Sequence, residues 1–334
     1  MFATLAGGYP ATETPRRSRT PPTDATADRL VREVIGDQVE AGLGLLTDGA
    51  VRWPDPAGLL GRRLGGGVGL PRWTEPLTVA AWSMARSVAG DVPVKQCLPG
   101  PYSLGVGFAN DAERRPALTL AFAEALAAEL GALTAAGCPF IQVDEDAAVL
   151  IGSDEAERVL FREAQRRLLV NLAGGPERPH LSLAVSGGNA DPAGPETILA
   201  PAYDSFFFDL LAGPDNWRLV TGVPSDRGVV LGVVDAGRPD PDDREIVVWA
   251  VGHAAASAGR GEDRVGIAPS GSLAGLPRSV ARAKIGLLGE VVGLIERRHE
   301  AAIGASFDPR AIDARSAALG RWTPGEGRRP RDRS

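Results

Sequence analysis

Short apolar or β-branched runs alternate along the chain with longer stretches of helical period, the order that builds a parallel sheet with helices outside it. Eight runs read as strands: Phe2 to Ala6, Leu45 to Asp48, Val92 to Leu98, Phe140 to Asp144, Leu181 to Val185, Tyr203 to Phe208, Gly228 to Asp235 and Val265 to Ala268. Between them the spacing predicts helices. Asp28 to Gly42 sets Leu30, Val31, Val34, Ile35 and Val39 on one stripe, and Ala117 to Ala136 is rich in alanine and leucine. Further helices are expected over Asp154 to Leu172, Asp242 to Ala258 and Pro277 to Arg297, the last opening on a proline whose missing N–H does no harm there. Eight such pairs predict an α/β fold, a single (β/α)8 TIM barrel over residues 1–300. Val51 to Glu75, with Gly65-Gly66-Gly67 and several prolines, lacks a helical period and predicts a long loop after the second strand. Residues 301–334 are polar and arginine-rich and read as a mobile tail.

Composition narrows the functional classes. The 334 residues are 44% hydrophobic, enough for a substantial core. With 36 basic against 42 acidic residues the net charge is -6, so no positive field gathers nucleic acid or an anionic membrane, and a small-molecule substrate is the expected partner. Oligomeric state stays open. Cys97 and Cys138 are too few for a disulfide framework or a zinc ribbon, which points to a reducing, cytoplasmic setting. No stretch is read as reaching the roughly 20 apolar residues of a membrane helix, and Met1 to Pro10 lacks a charged leader. Lysine occurs only at Lys95 and Lys284, and is read as base composition with little functional weight.

Chemistry in such a barrel belongs at the C-terminal ends of the strands. Those ends supply Asp48 and Arg52; Tyr102 and Ser103; Gln142, Asp144 and Glu145; Ser186 and Asn189; Asp209; Asp235; and Ser270. Carboxylates converging on one concavity repel each other, which raises at least one pKa and can set a general acid beside a general base. Asp144, Glu145 and Asp209 are the catalytic candidates and the others are expected to bind substrate, with Arg52 as the counter-charge. The alternative for Asp144 and Glu145 is that they cap the next helix or pair with arginines at the rim. His180, His253 and His299 are badly placed for a nucleophilic pair, and Cys97 and Cys138 read as buried hydrophobes. No phosphate-cradling motif is present. Arg16, Arg17 and Arg19, after the first strand, read first as a solvated loop, with gripping an anionic substrate tail as the sharper alternative.

These strings, in this order, resemble the C-terminal catalytic barrel of the cobalamin-independent methionine synthase family. Gly7-Gly8-Tyr9-Pro10, with Glu13 and Arg16 behind it, is similar to the family's Gly-Ser-Phe-Pro opening. Asp48-Gly49-Ala50 with Arg52 and Asp55 is similar to its "DGE…R.D" segment, Gly100-Pro101-Tyr102-Ser103 to its "GP.T" turn, and Gln142-Val143-Asp144-Glu145 to "Q.DE". Ala184 to Asn189 falls on "H.C.GN", Leu231 to Asp235 on "LG.VD", and Pro269 to Leu273 on "PSCGL".

The resemblance implies methyl transfer from a folate donor, with Gly7, Tyr9, Arg16 and Phe108 on the donor side. It also carries departures. The family's zinc ligands fall on Ala184, Ser186, Asp209 and Gly271, which lack the His and thiolate donors zinc needs, so no zinc and no tightly bound cofactor are expected. The glutamate that helps hold the acceptor's ammonium is Ala50 here, while its aspartate partner is kept as Asp144. The reading that follows is a zinc-independent transfer of a methyl or one-carbon group, with 5-methyltetrahydrofolate as a candidate co-substrate, to an acceptor needing no thiolate. Asp144 and Glu145 would orient and deprotonate the acceptor, while Arg52 and Tyr102 bind its anionic group. A cofactor-free lyase or decarboxylase of the same superfamily and a non-catalytic small-molecule binder stay open beside it.

Overall fold

Seven parallel strands form one curled sheet in the order β1-β7-β6-β5-β4-β3-β2. They are β1 (Phe2–Ala3), β2 (Gln96–Pro99), β3 (Phe140–Asp144), β4 (His180–Val185), β5 (Ser205–Asp209), β6 (Gly228–Val234) and β7 (Val265–Pro269). The computed structural model describes residues 1–14, 20–67, 69–170, 172 and 178–306. The chain divides into two units, Met1–Glu290, which carries the sheet, and Val291–Ser334.

The second expected strand, Leu45 to Asp48, is reduced to two single parallel bridges, Leu45 to Thr4 and Leu46 to Val94. The cause lies in helix α1 (Asp24–Glu40), whose Gln38 side chain takes both backbone groups of Thr47. Gln38 Nε2 donates to the Thr47 carbonyl at 2.8 Å and Gln38 Oε1 accepts its N–H at 3.0 Å, so Thr47 has nothing left for a ladder.

The region expected as a loop holds a helix, α2 (Pro56–Arg63), with Pro56 at its first turn and Asp55 Oδ1 accepting from Gly58 N at 3.0 Å. Further elements are α3 (Val79–Val88), α4 (Pro101–Phe108), α5 (Arg115–Ala135), α6 (Glu155–Leu169), α7 (Pro195–Ile198), α8 (Trp217–Gly222), α9 (Arg244–Ala256) and α10 (Arg278–Ser306). Helix α4 was hidden by its glycines. The expected tail begins inside α10, and residues 307–334 lie outside the described residues.

Inside the curl, Ala6, Ala184, Phe207, Val230 and Ala268 pack as one layer. The neighbours Phe206 and Phe208 alternate to the other face, where their rings lie parallel at 6.3 Å. Helix α5 corrects one expectation: it is 21 residues long, and its most apolar window is long and apolar enough to cross a membrane. In this fold 56% of that window is buried, and Glu129 sits in its middle without exposure.

Glu129 accepts from Trp73 Nε1 at 2.8 Å, Leu77 N at 2.9 Å, Thr78 N at 2.7 Å and Thr78 Oγ1 at 2.7 Å, fastening the segment before α3 to the helix layer. Glu129→Ala leaves four donors, the two of Thr78 buried and those of Trp73 and Leu77 half-buried, without their acceptor and lowers stability by about 3 kcal/mol in urea unfolding. A loss under about 1 kcal/mol would mean that this anchor is not structural.

Candidate active site

At the C-terminal ends of the strands lies a cavity of about 260 Å³. Its floor is organised by a residue that the sequence reading set aside. Lys95, 3% exposed just before β2, points into the curl and donates to the Leu5 carbonyl at 2.7 Å and to Gln142 Oε1 at 2.6 Å. An ammonium can only donate, so it fixes which end of the Gln142 amide faces it. The other end, Nε2, then donates to the Ala6 carbonyl at 2.6 Å and to Asp144 Oδ1 at 2.7 Å. Burial lowers the Lys95 pKa, opposed by the neighbouring Cys97 and Asp144 groups. Burial and the nearby charge of Asp146 raise Asp144 from 3.8 to about 8, against the pull of Gln142 and Lys95.

Asp48 also lines the cavity. It precedes Gly49 at φ +66° and Ala50 at φ +54°, a left-handed turn held by Ala50 N donating to Asp48 Oδ1 at 2.9 Å. Burial raises its pKa, opposed by that hydrogen bond and by Arg52. Asp146 and Ser186 complete the acidic side, the Ser186 hydroxyl donating to Asp146 Oδ1 at 2.6 Å. Gly7 and Tyr9 line the cavity too, and the Tyr9 hydroxyl donates to Asp37 Oδ2 at 3.1 Å. Cys97, read as a buried hydrophobe, lines the cavity as well. Burial pushes its thiol up, so it stays protonated. The signal for Lys95 and Cys97 was their spacing: two residues apart in the expected strand Val92 to Leu98, they fall on one face of it.

Several expected site residues serve the scaffold instead. Glu145 is fully buried and outside the cavity wall. It accepts from Tyr102 N at 3.0 Å, Ser103 N at 2.8 Å, Ser103 Oγ at 2.7 Å and Gln165 Nε2 at 2.6 Å, so it caps the N-terminus of α4, a helix that precedes it in the chain, and not the next helix as the alternative reading had it. Burial raises it to about 7 against those four donors. Gly100 is needed for this approach, because a Cβ there would stand 2.1 Å from the Glu145 carboxyl carbon. Asp209 accepts from Gly187, Leu211 and Ala212 N–H groups at 3.1, 2.9 and 2.9 Å, so it holds two turns.

Arg52 faces α1, paired with Asp28 and, at 3.5 Å, with Asp24. Tyr102 is buried and its hydroxyl donates to Glu157 at 2.6 Å, so neither residue is placed to bind a substrate anion in the cavity. Asn189 pairs with Asp215, Asp235 with Arg238 at 2.7 Å, and Ser270 Oγ accepts from Ala236 N at 3.1 Å. Phe108 packs on Phe122 at 5.6 Å beneath α2 rather than facing the cavity as a stacking surface. Arg16, Arg17 and Arg19 lie outside the described residues. Of the four positions matching the zinc ligands, Ala184, Ser186 and Gly271 line the cavity, while Asp209 turns to its backbone donors.

Asp144 and Glu145 fix the sign of a pH effect. Both carboxyls have folded pKa values above their ordinary 3.8 and 4.5, so between those values and about 7 to 8 the folded state binds more protons than the unfolded chain. Their contribution to stability is full below about pH 4 and is lost as the pH rises toward 8. Urea unfolding across this range is expected to show that fall, with a shallower slope in Asp144→Asn. An unchanged slope in the variant would contradict the burial of Asp144 as a raised acid.

A family model described as "Cobalamin-independent synthase, Catalytic domain" matches residues 1–169. Over 159 residues the chain is 35% identical to a 5-methyltetrahydropteroyltriglutamate–homocysteine methyltransferase of Rhodopseudomonas palustris, a match covering 44% of this chain and 18% of that protein. A protein of the same name from Halalkalibacterium halodurans is 30% identical over 175 residues, covering 43% and 23%. The chain thus spans less than a quarter of the curated relatives it matches. Among solved structures, a B12-independent methionine synthase from a Shewanella species superposes with a TM-score of 0.77 at 17% identity, covering 90% of this chain and 98% of that one. A Listeria monocytogenes structure of similar description gives 0.66 at 17% identity, covering 88% and 99%. With half of its length matched by the family model, and a sheet that superposes on those structures, the chain belongs to the cobalamin-independent synthase catalytic-domain family.

Proposed function

We propose that this chain is a methyltransferase-like enzyme that moves a methyl group to a small-molecule acceptor without zinc. The observation that carries this reading is Asp144, held at the end of β3 by the Lys95–Gln142 chain and raised toward neutral pH beside an open cavity. A carboxyl tuned to that range is an efficient proton acceptor at physiological pH. In the proposed step a protonated acceptor gives its proton to Asp144, and the freed lone pair forms the new bond to the methyl carbon. The bond from that carbon to the donor breaks with its electron pair staying on the donor, which then takes up the proton. The names of the curated relatives support 5-methyltetrahydrofolate chemistry as the donor class. Tyr9, Trp53 and Phe207 provide aromatic wall for it where Phe108 does not.

The donor set supports zinc independence, since an alanine, a glycine, a serine bonded to Asp146 and an aspartate turned to three N–H groups offer no tetrahedral site. The two single bridges at Leu45 and Leu46, spanning from the β1 side to the β2 side, support reading that segment as the eighth strand of a barrel. The lyase alternative needed Arg52 to handle substrate charge, and its pairing with Asp28 weakens it.

Purified protein stripped of metal is expected to convert 5-methyltetrahydrofolate to tetrahydrofolate when small nucleophilic acceptors are supplied. Asp144→Asn should lower kcat by about 100-fold or more with the fold intact, the usual weight of a positioned base. Arg52→Gln should leave kcat/KM within about threefold, a change small against one lost substrate contact. Activity that appears only on adding zinc, or an Asp144→Asn enzyme as fast as its parent, would overturn the reading.

A further inference from the structure

Among the described residues lining the cavity the ionisable side chains are Asp48, Asp144, Asp146, Tyr9 and Cys97, with no lysine, arginine or histidine. The cavity therefore offers an anion no charged partner among the described residues, while a cation placed in it pairs with the carboxyls and favours their ionised form. A second observation is independent of that count. Asp48 is 8% exposed, its Oδ1 is satisfied by Ala50 N, and its Oδ2 is buried with no hydrogen-bond partner. A buried carboxylate oxygen without a donor is costly, and a ligand N–H removes the cost. Trp53, which lines the same cavity, has its Nε1 buried as a donor with no acceptor. The unmet demands are thus an N–H for Asp48 and a neutral oxygen for Trp53.

We propose that the acceptor is a cationic amine that carries no carboxylate, its ammonium held by Asp48 as well as by Asp144, and that Asp48 is the residue that selects it. An amino acid would bring a carboxylate near Asp144 and Asp146, while Arg52 and Tyr102, the groups expected to receive it, are engaged by Asp28 and Glu157. The proposal rests on the methyl-transfer reading only for the ligand's role as acceptor. The binding it describes stands by itself.

The test is calorimetric titration of the whole chain with four probes of similar size: butylamine, butanol, butyrate and 2-aminobutyrate. Saturable binding is expected for butylamine at millimolar concentration, weakened about tenfold or more by replacing its ammonium with a hydroxyl or by adding the carboxylate. Asp48→Asn, of the same shape without the charge, should weaken butylamine about tenfold or more while leaving any butanol binding unchanged. Should that variant fail to fold, the ranking of the four probes on the parent protein decides. Butyrate or 2-aminobutyrate binding as well as butylamine, no saturable binding of butylamine, or a folded Asp48→Asn that binds it as the parent does would each overturn the proposal. Amine binding without methyl transfer would leave it standing and sink the proposed reaction instead. Methyl transfer to an acceptor other than an amine, with no amine bound, would do the reverse.

Discussion

A lysine buried inside the curl of the sheet is the constraint on which the site depends. Lys95 has three protons to place and no acceptor of its own, and it places two of them on the Leu5 carbonyl and the Gln142 amide oxygen. That joins the exit of β1 to β3 through the interior and leaves one possible orientation for the Gln142 amide. Gln142 in turn meets Asp144 as a donor. The position of the proposed proton acceptor is thus set two hydrogen bonds below the cavity, by groups a substrate does not touch.

Carboxylates at the strand ends divide into two kinds according to the donors around them. Glu145 and Asp209 are surrounded by backbone N–H groups, which each uses to hold the start of a helix or a turn. Asp48 and Asp144 each have a single described hydrogen-bond donor and face the cavity, where burial raises both. The same residue type at equivalent places in the fold thus serves as scaffold where its valences are filled and as a chemical group where they are not. Arg52 and Tyr102 follow the same logic, each engaged by a carboxylate of a neighbouring helix.

The alternation of strands and helices was legible because burial on both faces of a parallel sheet leaves continuous apolar runs, as in β5 and β6. The strand ends were legible too, since the barrel rule needs only the order of elements. Three things were not. The Leu45 to Asp48 strand depended on Gln38, nine residues away from Thr47, whose side chain removes backbone groups from pairing. Helices α2 and α4 carry glycines that mask the helical period: Gly61 is where Phe108 packs and Gly105 where Thr119 packs, close approaches invisible in sequence. The role of Glu145 turned on the N-terminus of α4, an element the reading had not placed. Lys95 was discounted as composition, although a lone lysine inside an apolar run has to be paid for by partners.

The account turns on Asp144 being a raised, cavity-facing acid rather than an ordinary surface carboxylate. The direct measurement is a carbon-13 NMR titration of the aspartate side chains, with Asp144→Asn used to assign the signal. The account predicts that the Asp144 carboxyl titrates with a midpoint pushed up to about 8, and that the midpoint shifts when Lys95 is replaced by methionine. A carboxyl that titrates at its ordinary value of 3.8, indifferent to Lys95, would contradict it.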